Sequence, residues 1–72
     1  MKFPSKEIVE ALRNEYPVGC RVELVRMEDC QAPPVGTQGT MRGVDDAGSI
    51  MVAWDNGSGL SVAYGEDICR RV

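Results

Sequence analysis

Beyond Pro17 the chain never runs apolar for long. It is cut by glycine, Asp and Asn into short stretches in which apolar and polar residues alternate. Alternation with a period of two is the signature of a strand with one buried face, and turn residues between such stretches mark hairpins. Cys20, Val22 and Leu24 alternate with Arg21 and Glu23 in a first strand. A polar, proline-bearing segment, "MEDCQAPPVGTQG", follows as a long loop with an extended Ala32-Pro33-Pro34. Thr40 to Val44, Ser49 to Asp55, Gly59 to Tyr64 and Ile68 to Val72 read as four further strands, the last after a turn at Gly65-Glu66-Asp67. Five short strands with no helical pattern between them predict a mainly β chain closed into a small barrel.

One helix precedes the strands. Pro4-Ser5 opens it, with Ser5 as N-cap and Glu7 and Glu10 near the positive end of the dipole. Ile8, Val9, Leu12 and Tyr16 recur at helical spacing, and Pro17 stops the helix because the residue before proline avoids helical dihedrals. The predicted helix, residues 5–15, covers one open end or face of the barrel; the alternative is a partner-binding or self-associating helix.

The glycines set the register. A two-residue Asn56-Gly57 hairpin loop places Trp54 across from Gly59 and turns Leu60 and Val62 to the other face. One more loop residue places Trp54 across from Leu60 and Val52 across from Val62, gathering the large side chains on one face. A three-residue loop or bulge is therefore expected, with Gly57 or Gly59 at positive φ and Trp54-Asp55-Asn56-Gly57 as a corner of the fold. Met41 and Val44 are three apart and share a face only if an extra residue intervenes, which places a second bulge at Gly43. The expected core is Val22, Leu24, Met41, Val44, Ile50, Val52, Trp54, Leu60, Val62 and Ile68, with Ile8 and Leu12 from the helix.

Seventy-two residues make one domain, 1–72, close to the size where a single core is only just sufficient. Eight Lys and Arg against eleven Asp and Glu leave net −3, which argues against nucleic acid and anionic lipid as default partners. The N-terminal stretch mixes charges with apolar residues, so neither a signal peptide nor a membrane span is expected. Three cysteines, an odd number, argue against a disulfide framework and for reduced thiols in a cytoplasmic protein.

No chemistry of catalysis assembles from these residues. Histidine is absent, which removes the commonest acid-base group and metal ligand. Cys20, Cys30 and Cys69 form no C-x-x-C pair and read as small hydrophobes or loop thiols. The acidic pairs Glu28-Asp29, Asp45-Asp46 and Glu66-Asp67 lack calcium-loop spacing; those at turns bond their own backbone. The aromatics Phe3, Tyr16, Trp54 and Tyr64 are too few for an aromatic groove once Trp54 is core. Arg21, Arg26, Arg70 and Arg71 are the candidate binding surface: first and last strands commonly pair in small barrels, which gathers these side chains into a local basic patch. The competing reading pairs them with Glu23, Glu66 or Asp67.

Four motifs add a resemblance. Tyr16-Pro17-Val18-Gly19, Pro34-Val35-Gly36-Thr37-x-Gly39-Thr40, Val44-Asp45-Asp46-Ala47-Gly48 and Trp54-Asp55-Asn56-Gly57 resemble the domain of unknown function 4314 family over residues 16–72. The family comprises small bacterial proteins found with phages and conjugative elements. The resemblance implies an SH3-like barrel, in agreement with the strand count, and no particular activity. The expectation is a small SH3-like five-stranded barrel with one N-terminal helix that acts as a non-enzymatic binding module. It is a monomer or weak homo-oligomer, without cofactor, metal or membrane, and its partner is another protein. The alternative is an accessory nucleic-acid binder of a mobile element, using the arginine patch.

Overall fold

The computed structural model describes residues 5–72. Helix α1 (Lys6–Glu15) is followed by β1 (Arg21–Arg26), β2 (Gln38–Val44), β3 (Ser49–Trp54), β4 (Val62–Ala63) and β5 (Ile68–Arg71). Phe3 and Pro4, used above in the aromatic count and the helix start, lie outside the described residues.

The helix starts and stops for local reasons. The Ser5 hydroxyl accepts from the Ile8 N–H (3.3 Å), satisfying a donor that the first turn leaves free. At the other end the Tyr16 N–H closes onto the Leu12 carbonyl (2.8 Å), and Pro17 prevents another turn. Val9 and Leu12 are buried. Ile8 is only partly buried, a correction to its expected core place. The sheet meets the stripe along Val9, Leu12 and Tyr16, at i, i+3 and i+7, and Ile8 lies at its margin.

The strands form one antiparallel sheet in the order β4-β3-β2-β1-β5. The two edge strands, β4 and β5, come into contact, so the sheet curls upon itself. Among the described residues no hydrogen-bonded ladder joins them. Helix α1 lies across one end of the curl and is tied down at both sides. The Arg13 guanidinium donates to the Val44 carbonyl of β2 (3.1 and 2.9 Å). The Tyr16 hydroxyl donates to the Cys69 carbonyl of β5 and the Arg71 guanidinium to the Glu15 carbonyl (both 3.3 Å). The helix is therefore a cover for the core.

That core comprises Val9, Leu12, Val22, Leu24, Met41, Val44, Ile50, Val52, Trp54, Val62 and Cys69, each at most 8% exposed. Besides Ile8, two expected members do not belong to it. Ile68 is 49% exposed and Cys69 takes the inward position. The β1–β5 register shifts between Leu24 and Arg26, so Leu24 faces Cys69 and Ile68 stands opposite Arg26 on the outer face. Leu60 is only half-buried, because the expected fourth strand from Gly59 to Tyr64 pairs over Val62–Ala63 alone.

The bulge in β2 falls where Gly43 stands. Met41 pairs with Val52 and Gly43 with Met51, leaving Arg42 as the extra residue. A second glycine in this strand has a different task. A Cβ on Gly39 would lie 2.6 Å from Val52 Cγ1, 2.8 Å from the Ala53 carbonyl oxygen and 3.0 Å from Trp54 Cα, so only glycine lets β2 approach β3 here.

Candidate binding groove

Two hairpin loops of the same build flank β3. In the first, Asp46-Ala47-Gly48, the Asp45 N–H donates to the Ser49 carbonyl (3.1 Å) and the Gly48 N–H to the Asp45 carbonyl (3.0 Å). In the second, Asp55-Asn56-Gly57, the Trp54 N–H donates to the Ser58 carbonyl (3.0 Å) and the Gly57 N–H to the Trp54 carbonyl (2.9 Å). Each third residue is a glycine at positive φ, 82° for Gly48 and 93° for Gly57. Asx side chains cap both: Asp45 Oδ1 accepts from Ala47 and Ser49 N–H, and Asn56 Oδ1 from Ser58 N–H.

The second loop has the three residues expected, and Gly57, not Gly59, takes the positive φ. Its register differs from the expected one by two residues. Trp54 faces Ser58, and Ile50 faces Val62. A slip of two preserves the face, so Trp54 is 3% exposed although Leu60 is not its partner across the ladder.

Beyond Ser58 the chain leaves β3. Trp54 Nε1 donates to the Leu60 carbonyl (2.8 Å), and the Leu60 N–H donates to Ser58 Oγ (3.3 Å). Both backbone groups that Leu60 would offer to Val52 are thus engaged elsewhere. Among the described residues, no backbone hydrogen bond joins Val52 to residues 58–61, and pairing resumes only at Ile50 with Val62. The result is a surface groove of about 640 Å³ with Met51, Val52, Ala53 and Trp54 along its floor. Ser58, Gly59 and Ser61 form the far wall and Arg42, on the bulge of β2, the near one.

The arginines singled out from the sequence do not form a free patch. Arg21 makes a two-pronged ion pair with Asp55, a side chain from the second hairpin loop, and also donates to Thr40 Oγ1 (3.0 Å). That hydrogen bonding holds the Asp55 carboxyl below the usual carboxylate range and raises the Arg21 guanidinium. Arg26 bonds Glu28 (3.1 Å), Arg70 bonds Glu23 (2.9 Å) and Arg71 bonds the Glu15 carbonyl. Glu23 is the one partner that sequence reasoning named; Asp55, Glu28 and the helix carbonyl come from loops and ends whose placement needs the fold.

The acidic pairs divide in the same way. Asp45 caps its loop, Asp46 meets Arg13 (3.1 Å), Asp29 Oδ1 accepts from Gln31 N–H (2.8 Å), and Asp67 Oδ2 from Ala63 N–H (3.0 Å). Among the described residues no three His, Cys, Asp or Glu converge as metal ligands. Cys20, Cys30 and Cys69 are free thiols. Burial pushes the Cys69 thiol up to about 11, which removes its nucleophilic form at neutral pH. Burial likewise raises the Tyr16 phenol, the hydroxyl that closes on Cys69.

Arg42 was not singled out from the sequence, and Gly39 only as a member of a family motif. The signal for Arg42 lay in the bulge: a residue left over at Gly43 has no partner across the sheet and projects its side chain freely. Among the described residues no helix is long and apolar enough to cross a membrane. A family model described as "Domain of unknown function (DUF4314)" matches residues 5–72. Comparison with curated proteins gave no match.

Proposed function

The chain belongs to the DUF4314 family, and from that premise and its geometry we infer a non-enzymatic binding module for another protein. One observation carries this reading: the groove beside β3, where a strand edge inside the sheet lacks its neighbour over Val52. A concave surface with exposed apolar side chains such as Met51 is a common docking place for a partner segment. The scaffold is read as an SH3-like barrel. The adjacency of β1 and β5 and the contact of β4 with β5 at the seam support this. We read it as a cytoplasmic bacterial protein associated with mobile elements; the three free thiols support the first part of that reading and the family resemblance the second.

The alternative, nucleic-acid binding through Arg21, Arg26, Arg70 and Arg71, has less support because each of these side chains already serves a carboxylate or carbonyl. Affinity capture from host lysate, with and without nuclease, separates the two. The protein-module reading expects a captured protein that survives nuclease and rising salt and is lost with Met51→Glu, at a residue 38% exposed on the groove floor. Capture that disappears with nuclease, or weakens steeply with salt, contradicts it.

A further inference from the structure

The groove has a chemical polarity that narrows its occupant. Arg13, Arg21, Arg26, Arg70 and Arg71 all meet an acceptor on this chain. Arg42 is exposed and, among the described residues, meets none. It overhangs a groove with no Asp or Glu in its lining, on a chain that is net negative. The bulge holds Arg42 there because the residue has no pairing partner, and Gly43 beside it leaves room for Met51 Cε to lie 3.3 Å from where a Cβ would sit. The open floor is formed by Met51 and Ala53 on the outer face of β3. β3 alternates: Ala53 pairs with Thr40 and the Asp55 N–H donates to the Gln38 carbonyl, whereas the Trp54 N–H points the other way. The Val52 N–H and C=O are therefore turned to the groove side, but they lie beneath its surface, since Val52 is 2% exposed.

Resting on the binding-module reading, we propose that the groove takes an extended peptide segment of a partner protein. The segment lies over Met51 and Ala53, and one Asp or Glu carboxylate is held by Arg42. A guanidinium and a carboxylate form charge-assisted hydrogen bonds, and the Met51 side chain beside Arg42 gives the segment an apolar contact. Gly59 and Ser61 on the facing wall leave space for its side chains. Nucleic acid fits less well, because the groove offers a single cation and its tryptophan is buried, out of reach for base stacking.

The test pans a displayed library of random dodecapeptides on the intact chain, then titrates the selected peptides into isotope-labelled protein. The selected peptides should share an acidic residue and shift the amide signals of Val52, Ala53, Gly57 and Gly59. Arg42→Ala should weaken binding by about tenfold or more, as should changing the peptide's acid to its amide, whereas Arg26→Ala should change it by less than about twofold. Arg42 is an exposed bulge residue, so the variant stays folded. Peptides without an acid, indifferent to Arg42→Ala, or shifting signals elsewhere overturn the proposal and leave the binding-module reading standing. A concentration-dependent dimer lost in Arg42→Ala also overturns it, assigning the groove to a second copy. Failure to select any peptide, with salt-sensitive binding of a single-stranded oligonucleotide, overturns both.

Discussion

The two ends of β3 begin with the same turn and finish differently. At one end, the loop closed by Asp45 and Ser49 continues at once into the ladder, with Val44 facing Ile50 and Gly43 facing Met51. At the other, the loop closed by Trp54 and Ser58 has the same hydrogen bonds and the same positive-φ glycine, yet the chain departs from β3 one residue later. The difference lies in the closing residue. Asp45 spends its side chain on the loop itself, taking the N–H groups of Ala47 and Ser49. Trp54 turns inward and its indole N–H claims the Leu60 carbonyl, so that group is not available to Val52. A turn fixes where a hairpin starts; side chains beyond it decide whether the ladder continues. The unladdered end is where the groove opens.

Substitutions at β3 should sharpen this contrast. The largest effect is expected from Trp54→Ala, which empties the core beside Val52 and releases Leu60: about 3–5 kcal/mol of stability, enough to unfold so small a domain in a denaturant titration. In the intact protein the tryptophan fluorescence should be blue-shifted and poorly quenched by iodide. Quenching as efficient as in the unfolded chain contradicts the burial.

Gly39→Ala comes next. Its Cβ meets the Val52 side chain and the β3 backbone, which cannot yield as a flexible side-chain tip can, so a loss of about 1–3 kcal/mol is expected by thermal or chemical denaturation. Gly48→Ala and Gly57→Ala probe the shared turn. Each should cost about 1 kcal/mol, equally at the two ends, since both glycines have positive φ. A much smaller cost at Gly57 would show that the second loop is not held in the geometry of the first.

The smallest effect concerns the thiols. Exposed Cys30 should react with a thiol reagent at once in the native protein, and Cys69 only on unfolding. Folding favours the neutral Cys69 thiol, whose pKa rises from the ordinary value near 9 to about 11. Its contribution to stability is therefore complete below pH 9 and lost as pH rises toward 11. A denaturation midpoint that climbs over that interval contradicts its burial.

Much of this was legible from period and turn chemistry. The helix, the five strands, the bulge at Gly43 and the buried face of β3 follow from which residues alternate and where glycine interrupts them. Leu60 and Ile68 were misplaced for one reason: local alternation carries a strand's face forward but not across an irregularity. The β1–β5 shift between Leu24 and Arg26 exists only in the pairing of the first strand with the last. The departure after Ser58 lies in the bonds that the Trp54 indole and the Ser58 hydroxyl make to the Leu60 backbone. The arginines show the same limit. Their clustering on β1 and β5 was readable, whereas their neutralisation by Asp55 and the helix C-terminus depends on which loops arrive there. Arg42 became significant only once the groove beside it was visible.

The central claim is that Val52 lacks a strand neighbour on the groove side. Amide hydrogen exchange of the free protein measures this residue by residue. The Val52 N–H should exchange at least about tenfold faster than that of Ala53, which pairs with Thr40 in the same strand. Equal protection at Val52 and Ala53 would mean that the ladder to residues 58–61 is complete and that β3 carries no interruption beside the groove.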